Sequence, residues 1–328
     1  MGMKTKKIPY ITFLQSFAVF LVCIGHSLPL DNATGEFPLV FGIIHNILYS
    51  FHMPLFFAIA GFLFIYSMES KNYNIEFKDF IQKKLKKLII PYFSIGTIAY
   101  LLKTFIFNSF AYRPSQPSLS FYLSSMFAPE NNPDKYLWFL PVIFVIFVIA
   151  FFIKRINILK LFTISFIILF FVKYIPIHFF KTVLYNIFYF IFGSCVYIYR
   201  QTLFRVFSNI YLIFCSLILF LVLNFYLKNY LIIKILIAIL GIIISFGVAL
   251  ICDSNKQKFL FGILDGKYYQ IYLLSWFGQT GLRVFYQLNL INYLTAVIAM
   301  LFGGIALSIV LSNSISRYLP RLKVFIGL

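Results

Sequence analysis

The chemistry legible in this chain starts from one imidazole. His26 stands in the run Ile24-Gly25-His26-Ser27, near the end of the first apolar segment. An imidazole accepts a proton from a hydroxyl near neutral pH and so suits a general base. Keeping an ionisable side chain inside an apolar span costs free energy, which makes such a position a functional candidate. Gln15 precedes His26 by eleven residues, three helical turns with a net rotation of about 20°. The two therefore share a face, with Thr12 one turn below Gln15. That stripe sets polar groups near the start of the helix and the imidazole about 16 Å further along. The competing reading is a packed histidine hydrogen-bonded to a neighbouring helix. A second histidine, His52, opens the next apolar run, Phe51-His52-Met53-Pro54-Leu55-Phe56-Phe57. Pro54 suits the first turn of a helix, where its missing N–H is harmless, and Gly61 allows close helix approach. The competing reading of His52 is an interfacial residue at the outer headgroups, and that is the expected role of His45 and His178, which also fall near the outer face.

These residues need elements to hold them, and the composition says which. The chain has 328 residues, 62% hydrophobic and 11% charged, against roughly 25% charged in a soluble domain. Its apolar residues come in blocks of about 20, the length of a membrane-crossing helix. The first block is long and lacks a small-residue cleavage site, so it is expected to insert as an uncleaved anchor behind Lys4, Lys6 and Lys7. A net charge of +19 raises the question of nucleic acid, but the basic residues fall in loops between spans, where cytoplasmic retention of Lys and Arg collects them. Cys23, Cys195, Cys215 and Cys252 are scattered through apolar segments with no metal-ligand spacing. No metal site is expected.

The blocks define ten expected spans, at roughly 8–28, 48–67, 88–108, 137–153, 159–175, 183–199, 208–227, 230–251, 269–289 and 291–312. With the N-terminus inside, twenty of the 28 Lys and Arg fall in inner segments. Only Arg113, Lys135, Lys173, Lys181 and Lys228 fall outside, and Lys103, Lys234 and Arg283 lie within spans. The asymmetry places both termini in the cytoplasm, in the inner membrane of the cell. The segment 72–88 alternates apolar and charged residues at helical spacing and is expected to be a basic amphipathic helix on the inner face, running into the third span. The longest outer loop, 108–136, carries Pro114, Pro117, Pro129 and Pro133 and is the natural place for a lid. The expected fold is all-α, a polytopic integral membrane bundle of about ten helices forming a single domain over residues 1–328.

Several separated motifs together resemble the membrane acyltransferase-3 family, and within it the fucose 4-O-acetylase-like branch. Gly25-His26-Ser27 resembles the family's essential histidine at the end of span one. Phe51 to Phe57 with Gly61 resembles its second-span signature. Lys84-Leu85-Lys86-Lys87, followed by Leu88-Ile89-Ile90-Pro91-Tyr92, resembles its paired basic residues ahead of the third span. Leu137-Trp138-Phe139-Leu140 resembles the start of span four, and Ile271-Tyr272-Leu273-Leu274-Ser275-Trp276 a motif near the C-terminus. The ordered set runs from residue 8 to about 280. One departure stands out. The family usually carries Arg or Lys eleven residues before the histidine, with Asp three residues earlier, and here those positions are Gln15 and Thr12. Gln can hydrogen-bond but cannot neutralise a developing negative charge. Arg283, on span nine with Tyr272, Ser275, Trp276 and Gln279, is a candidate for the missing cation.

The resemblance implies transfer of an acyl group, most often acetyl, from acetyl-CoA or another acyl-CoA to a sugar hydroxyl. The acceptor would be a surface polysaccharide or its lipid-linked precursor. His26 would be the base. Gln15, His52, Trp138, Ser275 and Arg283 would bind or position substrate, with Trp138 and Trp276 able to stack on sugar. Lys84 and Lys87, one turn apart, suit the phosphates of the donor; they would also attract anionic lipid, at about 1 kcal/mol each. Expected partners are acyl-CoA, the glycan or lipid-linked sugar, and the bilayer, with no tightly bound cofactor and no nucleic acid. The rival reading is a non-catalytic transporter or export partner for a glycan. Gln15 favours it, while the lack of Asp or Glu within an expected span disfavours a proton-coupled carrier.

Overall fold

The computed structural model of the protein describes residues 8–32, 34–111, 114–227, 229–254, 264 and 266–328. Lys4, Lys6, Lys7, Arg113, Lys228, Lys256 and Lys258, used above for topology, lie outside the described residues. Among the described residues the regular structure is helical and no strand occurs. The helices are α1 Pro9–His26, α2 Leu39–Glu69, α3 Phe77–Lys84, α4 Ile90–Phe105, α5 Leu119–Phe127, α6 Phe139–Ile153, α7 Ile158–Phe171, α8 His178–Ile198, α9 Arg200–Phe207, α10 Ile210–Tyr226, α11 Leu231–Ser254, α12 Tyr268–Gln287 and α13 Tyr293–Tyr318.

Each of the ten expected apolar segments coincides with one of these helices. Among the described residues, six stretches are long and apolar enough to cross a membrane: α1, α2, Phe77–Phe105, α8, Leu231–Asp253 and α13. A seventh arises if α9 and α10, bent by 75°, count as one span. α6 and α7 are only 15 and 14 residues long. α12 has the length, at 20 residues, but carries Gln270, Ser275, Gln279 and Arg283.

Two expectations about helix boundaries need correction. α2 begins at Leu39, so His52 does not open it and Pro54 lies in its interior. The reason is in residues 39–50, which are apolar enough to extend the helix backwards. A proline inside a membrane helix is tolerated because its neighbours can accommodate the one freed carbonyl, here that of Ser50; His52 Nδ1 separately donates to the Leu48 carbonyl at 2.7 Å. The amphipathic helix starts at Phe77 rather than near residue 72, because Asn72 and Tyr73 take left-handed φ of 49° and 57° in the preceding turn. It ends in a π turn, Leu85–Ile89, that leads directly into α4.

The chain folds as two compact units. The first comprises Met1–Val22, Ile43–Ile75 and Ala150–Gly266. Its tightest crossing is α2 on α8. A Cβ added to Gly61 would overlap the Phe190 carbonyl, and one added to Gly193 would overlap the Ala58 carbonyl. The two glycines thus let the backbones touch, as expected for Gly61, and Ser194 Oγ donates to the Gly61 carbonyl at 3.1 Å. Around it pack aromatic rings, with Tyr10 edge-on to Phe62 and Phe204, and Phe62 edge-on to Tyr197. Glu69 accepts from the Tyr197 hydroxyl and lies 3.9 Å from Arg200.

The second unit comprises Cys23–Gly42, Glu76–Ile149 and Lys267–Leu328. Its centre is the α12–α13 hairpin. Gly304 of α13 leaves the space that Gln279 of α12 fills: a Cβ there would come within 2.8 Å of Gln279 Cγ. The C-terminal segment Pro320–Ile326 returns to α4, where Ser94 Oγ donates to the Phe325 carbonyl at 2.6 Å.

Candidate active site

Within the second unit, the last turn of α1 is held by side chains of α12. A helix end leaves carbonyls without intrahelical partners. Here His26 O accepts from Arg283 Nη2 at 3.3 Å, and Cys23 O, already bonded to the Ser27 N–H, also accepts from Ser27 Oγ at 2.6 Å and from Gln279 Nε2 at 3.0 Å. A guanidinium at a helix C-terminus also meets the negative end of its dipole. Gln279 Nε2 gives its other proton to Ser27 Oγ, again at 3.0 Å. Both amide protons are used on acceptors, so Oε1 faces the other way and accepts from the Tyr136 hydroxyl. Gln279, Ser27 and Ser275 are 0% exposed. A buried polar network of this kind fixes one geometry because each broken bond would leave a desolvated polar group. Ser275, one turn before Gln279, faces the Cys23 thiol.

The imidazole of His26 stacks on the ring of Tyr136, with centroids 3.8 Å apart and planes 26° from parallel. Tyr136 is itself anchored at three points. Its hydroxyl goes to Gln279, its carbonyl accepts from the Tyr272 hydroxyl, and its N–H donates to Asp134 Oδ1 at 2.9 Å. The loop after α1 is pinned in the same unit: Asn32 Nδ2 donates to the Tyr286 carbonyl at 3.0 Å, and the Tyr293 hydroxyl to the Pro29 carbonyl at 2.9 Å.

A second cluster lies at the other end of α12. The Tyr269 hydroxyl donates to the Lys87 carbonyl in the π turn. Lys87 Nζ lies 5.4 Å from the centre of the Tyr269 ring, and Lys84 Nζ lies 3.3 Å from that of Phe147. Tyr269 and Arg283 are fourteen residues apart on one helix, so the lysine turn and the His26 turn are tied to points about 21 Å apart along α12.

Of the expected site residues, the second unit therefore brings together His26, Ser275 and Arg283. Trp138 is half-buried two residues beyond Tyr136; Lys87 meets Tyr269 at the far end of α12, and Lys84 lies against Phe147 of α6. Gln15, half-buried on α1, and His52, 3% exposed on α2, belong to the first unit. A cleft of about 140 Å³ in that unit is lined by apolar residues of α2, α7, α8 and the end of α6 with Tyr73, Lys154 and Ser194, none of them an expected site residue. Sequence reasoning missed Tyr136, Asp134, Tyr272, Cys23 and Ser27 as parts of the site. Gln279 was within reach, since Ser275, Gln279 and Arg283 follow one another at four-residue spacing on one face. Among the described residues no three His, Cys, Asp or Glu come together as a metal would need.

The family model described as an acyltransferase domain matches residues 8–313. The chain belongs to the acyltransferase-3 family. No curated protein and no solved structure matches it. Membership in acyltransferase-3, with six helices among the described residues long and apolar enough to cross a bilayer, points to an integral membrane acyltransferase. The family points to acyl transfer onto a hydroxyl. The matched range contains both the His26–Tyr136 stack and the lysine turn.

Proposed function

We propose that this acyltransferase moves an acyl group, acetyl in the first instance, from acyl-CoA to a sugar hydroxyl of a surface polysaccharide or its lipid-linked precursor, with His26 as general base. In this reading the imidazole takes the hydroxyl proton as the acceptor oxygen attacks the thioester carbonyl carbon. The tetrahedral adduct then collapses, the C–S bond breaks, and the imidazolium returns the proton to the leaving thiolate. Products are the O-acyl sugar and free CoA thiol. The observation that carries the reading is the clamp on His26: a ring face, a guanidinium on its carbonyl and a satisfied amide network hold one imidazole in one place.

The donor's phosphates belong at Lys84 and Lys87, and the distance along α12 is what separates them from the reacting thioester. Trp138 and Ser275 belong to the acceptor side. Arg283 supplies the cation nearest His26, and Gln15 keeps a hydrogen-bonding role further down α1. His52 acts through packing in its own unit. The ten apolar segments, each helical, support ten spans with both termini cytoplasmic in the inner membrane, and the motif order supports the fucose 4-O-acetylase-like branch.

The uncharged Gln15 favours a second reading, a non-catalytic export partner for a glycan. Acetate esters on the purified glycan separate the two. They should disappear on deletion of the gene, return with the wild-type gene, and not return with His26→Ala. Full esterification without the gene would leave only the export reading.

A further inference from the structure

Asp134 is a buried acid that the reaction above does not use. It lies between α5 and α6, in the stretch that the sequence presents as an outer loop, yet it is 0% exposed. Its N–H donates to Asn132 Oδ1 at 3.0 Å and its Oδ1 accepts from the Tyr136 N–H. Its Oδ2 is buried with no hydrogen-bond partner among the described residues. A charged carboxylate in that position would have one oxygen desolvated and unpaired, which is strongly unfavourable. On its own turn, Lys135 Nζ goes to the Glu130 carbonyl. From α12 comes the Tyr272 hydroxyl, which donates to Tyr136 O. From α4 comes Tyr92, which meets Asn132 and donates to Met126 O. From α1 comes His26, across the Tyr136 ring, with Arg283 directed at the His26 carbonyl.

We propose that Asp134, as a neutral carboxylic acid, is a positioning residue for His26: it fixes the backbone of Tyr136 and, through the Tyr136 ring, the plane of the imidazole. The inference rests on His26 being the base. Burial pushes the Asp134 carboxyl from its ordinary 3.8 up to about 8, with the Tyr136 N–H pulling it back in part. A group whose folded value exceeds its unfolded one binds more protons when folded, so the stability it lends is present at low pH and is lost as pH rises from about 4 toward 8. Ionisation would place a charge next to the Tyr136 peptide and loosen the ring on which His26 rests.

The test uses the purified full chain, with thermal melting and acyl transfer measured at pH 6, 7, 8 and 9. Asp134→Asn keeps an oxygen for the Tyr136 N–H and never ionises. It should flatten the fall of Tm with pH, remove the alkaline decline in transfer, and exceed Asp134→Ala in rate by tenfold or more. An Asn variant as slow as the Ala variant, or one with the wild-type alkaline decline, would overturn the proposal. If the Ala variant does not fold, the comparison of Asn with wild type decides alone. The two ideas fail separately. Full transfer by His26→Ala with a flattened Asn melting profile removes His26 as base and leaves the neutral acid standing; the converse removes only the role of Asp134.

Discussion

Two helix junctions of this molecule are built on opposite principles. In the first unit, α2 meets α8 backbone to backbone, with Gly61 and Gly193 each lying against a carbonyl of the other helix. In the second, the end of α1 meets α12 through Gln279, Arg283, Ser27 and the Cys23 and His26 carbonyls. The glycine crossing derives its strength from dispersion at short range, so it rejects any added atom. The polar junction derives its strength from satisfied donors and acceptors, so it rejects any lost partner. The first can only hold helices together. The second leaves an imidazole, a guanidinium and a hydroxyl in fixed relation, which is what chemistry requires.

The largest effect should come from the glycine crossing. Gly193→Ala puts a methyl into the Ala58 carbonyl, a backbone overlap that exceeds the ~1–3 kcal/mol usual for overpacking. Membrane-inserted, monodisperse protein should be lost on immunoblot and size-exclusion in detergent. A normal yield of Gly193→Ala would mean the two backbones do not approach this closely. His26→Ala should separate stability from activity: glycan O-acylation should fall by roughly 10²–10⁴-fold with protein level unchanged. His52→Ala should reduce acylation less, through packing, and His45→Ala and His178→Ala should have little effect.

Next in size is the lysine turn. Changing Lys84 and Lys87 together to Gln should raise the KM for acyl-CoA roughly thirtyfold, from about 1 kcal/mol of attraction per charge, while kcat holds. If kcat falls and KM does not, the lysines act on helix placement rather than on the donor. The smallest effect is the sharpest probe of the polar junction. Tyr136→Phe keeps the ring under His26 and removes only the hydroxyl that Gln279 accepts. It should cost about 1–3 kcal/mol of stability, because Gln279 Oε1 is left buried without that donor, and leave transfer within a few-fold of wild type. A loss as large as that of His26→Ala would show that the hydroxyl, and not the ring face, is what the imidazole depends on.

Part of the second unit's polar junction was legible in the chain, and the reason is local periodicity. His26 ends an apolar run, and Ser275, Gln279 and Arg283 share a helix face at four-residue spacing. Gly61 announced a close crossing, and it makes one. What the sequence hid is long-range. Tyr136 meets Gln279 across 143 residues and Ser27 meets Gln279 across 252, and no pattern in a single chain encodes such pairings. Asp134 was hidden for a second reason. Beside Lys135, in a proline-rich stretch, it carries every mark of a solvated loop, and only the folded chain shows it closed off from water. The start of α2 was misread because Pro54 is a strong boundary signal in water and a weak one in a membrane helix.

The π turn at Leu85–Ile89 carries a consequence for how this protein can change over time. A π turn holds one residue more than an α-helical turn in the same length, so it is a stored insertion. Removing one residue from it would restore an ordinary helical turn and leave α3, with Lys84, at nearly the same angle about the axis of α4. The basic face of α3 would keep its direction. Deletion from α4 itself would instead turn everything before it by about 100°, so relatives should differ in length at this turn more readily than inside the helices that flank it.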